Sequence, residues 1–141
     1  MTTGFKSLAL AATAISVLAQ PALSWRASNW HDVYPLGSGV IEVVSEPGSG
    51  PAQFWCAVAD YALKQDRVAA NQRIYVSQTI GPAVNKPGYR AVQFSYDAPE
   101  GADTSKSWSL SIRRPGKNLT AAAAVQYCRD ELEGEYEWQL P

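Results

Sequence analysis

Three segments in the middle of the chain alternate apolar and polar residues with a period of two, over 74–80, 91–97 and 107–113. This alternation is typical of antiparallel strands that have one face on a core and the other in water. Residues that favour turns, glycine and proline, separate the segments. The sequence therefore predicts a three-stranded meander. Its inward positions are Ile74, Val76 and Ile80, then Val92, Phe94 and Tyr96, then Trp108, Leu110 and Ile112.

Two further segments repeat apolar residues at helical spacing. Residues 52–65 follow Pro51, which suits the first turn of a helix, and residues 119–133 follow Asn118, a favourable N-cap. Each apolar stripe contains one cysteine, and each is wide enough to cover a sheet. The stripes are Trp55, Cys56, Ala59, Ala62 and Leu63, and Ala121, Ala124, Val125, Cys128 and Leu132.

The β-branched residues over 40–44 predict one more strand, and Glu42 within it favours an edge position. The segment 25–39 has no periodicity, so we expect an irregular lead-in whose Trp25, Trp30 and Tyr34 rings either dock on the domain or border a binding surface. The elements follow the order β-α-β-β-β-α. This order predicts an α+β, two-layer domain in which two helices cover one face of an antiparallel sheet.

The first 24 residues have the composition of a secretory signal peptide. Lys6 precedes an apolar run over 8–18, and Pro21 and small residues precede Trp25. This run is shorter than the roughly 20 apolar residues that cross a bilayer. We expect cleavage after Ser24, which makes 25–141 a single secreted or periplasmic domain with no stable membrane span.

Export determines how the two cysteines are interpreted. Disulfides persist in oxidising compartments, so the even pair Cys56 and Cys128 predicts one bridge between the two helices. No Cys-x-x-Cys motif favours a redox site. Once Lys6 leaves with the leader, 11 basic and 13 acidic residues remain, and the net charge of −2 does not suggest a polyanionic partner.

From 52 to 133 the predicted α-β-β-β-α order resembles the double-stranded-RNA-binding domain. Gly81-Pro82-Ala83-Val84 is similar to that family's Gly-Pro-x-His turn but lacks the histidine, and Arg113, Arg114 and Lys117 precede the last helix, where the family has a phosphate-binding lysine cluster. The resemblance implies RNA binding. However, alanines fill the first turns of this helix, and export and the acidic net charge also oppose it, so we expect no nucleic-acid partner.

His31 is the only histidine of the chain. Asp32 beside it suggests a general base with an orienting carboxylate, but neighbours in an extended segment point to opposite faces, so we expect a surface or turn histidine. Two Gly-Ser-Gly sequences, at 37–39 and 48–50, lack the Lys-Ser/Thr of a phosphate loop and predict turns. No motif indicates a metal site, and we expect no cofactor.

The polar face of the predicted sheet is the candidate binding surface. A flat array of hydroxyl and amide groups suits a glycan or a protein, although the wet side of a sheet needs no ligand. Our contact candidates are Tyr75, Gln93, Ser109 and Arg113. The leading hypothesis is a non-catalytic exported module that binds a protein or an envelope glycan.

Two alternatives remain open. One is a small extracytoplasmic hydrolase that uses His31 or acidic residues; a concave pocket that gathers His31 with two acids or a hydroxyl would favour it. The other is an inhibitor or accessory partner of an exported enzyme.

Overall fold

The computed structural model describes residues 23–107 and 109–129. Within them, six antiparallel strands form one sheet in the order β1-β2-β3-β5-β4-β6. The described residues contain no helix with the length and apolar character of a membrane span. The elements are β1 (Trp25–Arg26), β2 (Asp32–Gly37), β3 (Val40–Val44), α1 (Pro51–Lys64), β4 (Arg73–Pro82), β5 (Arg90–Ser95), β6 (Asn118–Thr120) and α2 (Ala121–Val125).

The predicted α+β two-layer fold is confirmed. Helices α1 and α2 pack against each other and against one face of the sheet, and the core between the layers is fully buried. A disulfide joins Cys56 of α1 to Cys128, just beyond α2, with the two Cα atoms 4.9 Å apart. The bridge was predicted from the two stripes. The inner-face side chains of the sheet are Val33, Ile41, Val43, Ile74, Val76, Val92 and Phe94.

Helix α1 lies where its apolar stripe predicts. Gly50 is the N-cap and Pro51 the first helical residue, where the missing N–H costs nothing. The Gln53 side chain accepts a hydrogen bond from the Gly50 N–H at 2.8 Å, so a residue of the first turn satisfies the N–H of the N-cap. Trp55 is buried against Phe94, with ring centroids 5.1 Å apart, and its indole N–H donates to the Leu110 carbonyl.

The irregular lead-in predicted over 25–39 is wrong. Strands β1 and β2 form a hairpin, and β2 pairs with β3, so β3 lies inside the sheet and not at its edge. Glu42 of β3 is fully buried, because the loop after β4 folds over the outer face of the sheet. There its carboxylate accepts the Val84 N–H at 2.7 Å and the Asn85 N–H at 3.1 Å. These two bonds replace the water that would have solvated the Glu42 carboxylate if β3 had been an edge strand.

The described residues of 107–113 form no strand, so the third strand of the predicted meander is wrong. Here alternate serines bond to the backbone two residues ahead: Ser107 Oγ accepts the Ser109 N–H, and Ser109 Oγ accepts the Ser111 N–H. Ser111 Oγ accepts the Arg113 N–H in the same way. Such local bonds compete with a strand ladder for the same amides.

The position next to β4 is taken by β6, whose Asn118 pairs with Tyr75. Because β6 pairs with β4 and not with β5, the connectivity differs from the meander on which the resemblance to the RNA-binding domain depends. The predicted Asn118 cap is also wrong: Thr120 caps α2, and its hydroxyl accepts the Ala123 N–H at 3.2 Å. The part of the predicted helix beyond 129 lies outside the described residues.

Candidate functional site

The structure divides the four predicted contact residues between two places. Tyr75 and Gln93 lie on β4 and β5, both half-buried, and Gln93 pairs with Gln78 and with the buried Glu42. Ser109 and Arg113 instead lie on the irregular segment, where they line a separate hollow together with Ile80. The single flat surface predicted from alternation is therefore not formed, because the described residues of 107–113 do not join the sheet.

A polar cleft lies between the β1–β2 turn, the 46–50 turn that precedes α1, and the loop after β4. Its volume is about 500 Å³. The side chains that line it and carry polar groups or an aromatic ring are Arg26, Asn29, Trp30, His31, Glu46, Ser49, Gln53 and Lys86. We call it the Trp30 cleft.

Trp30 lies in the tight turn between β1 and β2. The Trp30 N–H donates to the Ala27 carbonyl, and the Ala27 N–H donates to the His31 carbonyl, both at 2.9 Å. The turn places Trp30 in the left-handed backbone region, with φ +69°, where glycine is the usual residue. Its side chain is 72% exposed, so the strain is not repaid by burial in the core. A large strained residue with a free ring points to a role outside folding.

His31 follows Trp30 and is 4% exposed, so the expected surface histidine is wrong. Its Nδ1 lies 3.1 Å from the Asn29 carbonyl, which can only accept, so Nδ1 carries the proton. In the neutral ring Nε2 is then an acceptor, and Ser49 Oγ lies 2.7 Å from it. The ring is packed edge to face on Phe54 of α1. In this neutral tautomer the Ser49 hydroxyl donates to Nε2.

Ser49 is held in the turn that the sequence predicts from Gly48-Ser49-Gly50. The Ser49 N–H donates to the Glu46 carbonyl at 3.0 Å, and the Glu46 N–H donates to Ser49 Oγ at 2.9 Å. Gly48 has φ +83°, which a glycine adopts without strain. The Gly-Ser-Gly pattern was the available signal for Ser49, but only the fold brings it to His31.

Asp32 and His31 bond to different partners, as expected for neighbours in an extended segment. Asp32 accepts hydrogen bonds from Arg26 at 2.8 Å and from Lys86 at 2.9 Å. Burial alone raises the pKa of Asp32, but the bonds from Lys86 and Arg26 outweigh it and hold this pKa below its ordinary value. The same bond to Asp32 raises the pKa of Lys86.

Charges around the Trp30 cleft compensate each other. Arg26 and Lys86 are both bonded to Asp32, and Lys86 Nζ also lies 3.7 Å from Glu46. The four groups carry two positive and two negative charges, so the cleft has no excess charge to attract an ion. Lys86 also lies 4.0 Å from the centre of the Tyr89 ring, which is 44% exposed. Tyr89 thus adds a second exposed ring close to the cleft.

Asn29 connects the turn to α1, because its Nδ2 donates to the Gln53 carbonyl at 2.8 Å. Its Oδ1 is buried and has no partner in the described part of the chain. Gln53 uses its Oε1 in the helix cap, which leaves the two N–H groups of Nε2 outside the cap.

Within 23–107 and 109–129, no three His, Cys, Asp or Glu side chains are placed to hold a metal ion. No protein-family model matches the sequence, and no curated protein or solved structure is significantly similar to it.

Proposed function

We propose that this chain is an exported domain that binds an uncharged, hydroxyl-rich ligand, an envelope glycan, in the Trp30 cleft. The observation that carries the proposal is Trp30 itself. An indole ring that is 72% exposed on a strained turn, beside a polar cleft, offers a sugar ring an apolar face and hydrogen-bonding groups together.

The shape of the site favours a glycan over a protein. A volume of about 500 Å³ lies within the range of small-ligand clefts, roughly 300–1,000 Å³. Protein interfaces are broad, with an apolar centre, whereas the walls of this cleft are mainly polar. The paired charges of Arg26, Lys86, Asp32 and Glu46 favour an uncharged ligand over an anion.

Export is supported by the leader-like composition of 1–24 and by the disulfide, which is typical of oxidising compartments. Cleavage after Ser24 would also leave β1 complete, since that strand begins at Trp25. The described residues place no positively charged helix on the sheet that would support nucleic-acid binding, and no RNA partner is proposed.

The proposal is tested by NMR titration of the disulfide-bonded chain with hexamers of glucose and of N-acetylglucosamine, and with oligogalacturonate as an anionic comparison. We expect a neutral hexamer to shift the indole N–H signal of Trp30. Trp30→Gly should abolish the binding, whereas Tyr75→Ala with Arg113→Ala should leave it unchanged. A response at Tyr75 or at Arg113 with none at Trp30 would place the site outside the Trp30 cleft, and binding of the anion alone would contradict an uncharged ligand.

A further inference from the structure

We infer that the Trp30 cleft also hydrolyses acyl esters, with Ser49 as the nucleophile and His31 as its general base. The inference rests on the proposed function for its substrate class, an O-acylated glycan, and it departs from the non-catalytic module expected from the sequence. Its basis is the pair Ser49 and His31, which are 18 residues apart in the chain and 2.7 Å apart in the cleft.

The pair meets the geometric requirement for an activated serine. The distance from Ser49 Oγ to His31 Nε2 lies within hydrogen-bond reach, and the proton on Nδ1 leaves Nε2 free to accept. The Asn29 carbonyl holds the ring from its other side, in the place where an orienting carboxylate stands in many serine hydrolases. Ser49 is a candidate nucleophile, because its hydroxyl has an oriented base beside it and lines a polar cleft that is open to solvent.

Two further contacts support the role of Ser49. The Glu46 N–H donates to Oγ, which stabilises negative charge as it develops there. With one bond donated and one accepted, the hydroxyl oxygen keeps one lone pair for attack. Moreover, His31 is 4% exposed and packed on Phe54, so the base is held rigidly.

The cleft also supplies donors for the oxyanion. The Nε2 amide of Gln53 is not used by the helix cap, and Arg26 and Lys86 each carry more N–H groups than their bonds to Asp32 consume. All three side chains line the same cleft as Ser49. Donors of this kind stabilise the charge of a tetrahedral intermediate.

The reaction needs only the ester and water. Ser49 Oγ attacks the carbonyl carbon, and its proton moves to His31 Nε2. The carbon–oxygen bond to the sugar breaks, and this proton passes to the leaving sugar oxygen. Water then attacks the acyl-serine and gives a proton to Nε2, the bond to Oγ breaks, and the proton returns to Oγ. The products are the free hydroxyl and a carboxylic acid.

Two measurements test the inference on the disulfide-bonded chain. The first is labelling with a fluorophosphonate, with the modified residue located by mass spectrometry; this needs no variant. The second is hydrolysis of 4-nitrophenyl acetate and of an O-acetylated glucose hexamer. We expect phosphonylation of Ser49, and a fall in hydrolysis by about 100-fold to 10,000-fold in Ser49→Ala and His31→Gln.

Ser38→Ala is the matched control, because Ser38 is an exposed serine in another turn. It should keep both labelling and hydrolysis. Labelling elsewhere, or none at all in a chain whose Trp30 signal still responds to the hexamer, overturns the esterase and leaves the binding site intact. If the Trp30 signal of the wild-type chain does not respond to the hexamer, the proposed glycan site is overturned, while phosphonylation of Ser49 would still support its role as a nucleophile.

Discussion

Trp30 lowers the stability of the folded chain, because its backbone is strained and its ring stays exposed. Trp30 adopts φ +69°, which costs an L-residue about 1–2 kcal/mol, and its exposed ring recovers little of it. Glycine relieves this strain but loses about 0.5–1 kcal/mol through its freer unfolded chain. We therefore predict that Trp30→Gly raises the free energy of unfolding by up to about 1 kcal/mol in a urea titration, while it abolishes glycan binding.

Ser38→Gly is the control for this prediction, because Ser38 also has a positive φ, +53°, in an exposed turn outside the Trp30 cleft. It should stabilise the chain to a similar extent and keep the binding. If Trp30→Gly lowered stability by more than about 1 kcal/mol, the ring would be a packing residue and the functional argument for it would fail.

Asp32 predicts a dependence of stability on pH. Its pKa in the folded chain lies below the unfolded value of about 4, so its bonds to Lys86 and Arg26 contribute their full stability above that pH. The contribution is lost as the pH falls through the folded pKa, because the unfolded chain then binds the additional proton first. In urea titrations the stability difference between wild type and Asp32→Asn should narrow below about pH 4. A difference that stays constant down to pH 2 would contradict this assignment.

The surroundings of His31 show which contacts the sequence could predict and which it could not. That His31 and Asp32 do not pair follows from strand geometry and was predicted. The contact between His31 and Ser49 was not, because it depends on a turn and a hairpin meeting through tertiary packing. For the same reason, the hydroxyl that a hydrolase would need could not be named in advance.

Among the elements, a regular pattern predicted a helix or strand correctly only where its apolar residues reach the core. Helix α1 and strands β4 and β5 form where their patterns predict them, and Ile74, Val76, Val92 and Phe94 face the core. Ile80, which was also predicted to face inward, is instead 38% exposed, since the pairing of β4 with β5 shifts register after Val76. The alternation over 107–113 was equally regular, but its serines bond to their own backbone, and the residues described there stay outside the sheet. Strands β1 and β6 contain two and three residues, too few for a pattern to be recognised.

Glu42 holds the loop after β4 over the outer face of the sheet. Its buried carboxylate accepts two backbone N–H groups of the loop after β4, and an amide in its place would offer only one oxygen to accept them. We expect Glu42→Gln to lower the free energy of unfolding by about 1–3 kcal/mol. Hydrogen exchange at Val84 and Asn85 should accelerate more than in α1. The exposed Glu100→Gln should change stability by less than about 0.5 kcal/mol; an equal loss there would rule out a specific role for Glu42.

Gly116 allows its turn to lie directly against the backbone of Asp103. A Cβ there would lie 2.5 Å from the Asp103 carbonyl oxygen, whereas a Cβ on Gly88 would meet nothing within 4 Å. Both glycines have nearly the same φ, +89° and +86°. Gly88→Ala should therefore cost only the backbone strain of about 1–2 kcal/mol, and Gly116→Ala about 1–3 kcal/mol more. Equal losses in urea titrations would show that the turn at Gly116 and the backbone of Asp103 can move apart.

On the scale of the whole molecule, the disulfide unites elements that the chain order separates. It closes a loop of 72 positions, which includes β4, β5 and β6, and anchors the second helix to the first. The cysteine count and the two apolar stripes were sufficient to predict it, since both stripes had to face one sheet. The hairpin that forms the cleft lies outside this loop and is held by its own contacts, among them Ser28 to the buried Asp60 of α1 at 2.8 Å.

Because the β1–β2 hairpin lies outside the loop that the disulfide closes, the effect of removing the disulfide on stability and on binding can be predicted separately. A loop of this length is worth about 4 kcal/mol in the unfolded chain, so Cys56→Ser with Cys128→Ser should lower the free energy of unfolding by roughly that amount. Binding at the Trp30 cleft should persist wherever the variant is still folded, because none of the residues that line the cleft belongs to α2. Mass spectrometry of the exported wild type should give a chain that starts at Trp25 and is two hydrogens lighter than its reduced form. A full-length chain with both thiols free would contradict export and remove the reason for expecting an envelope ligand.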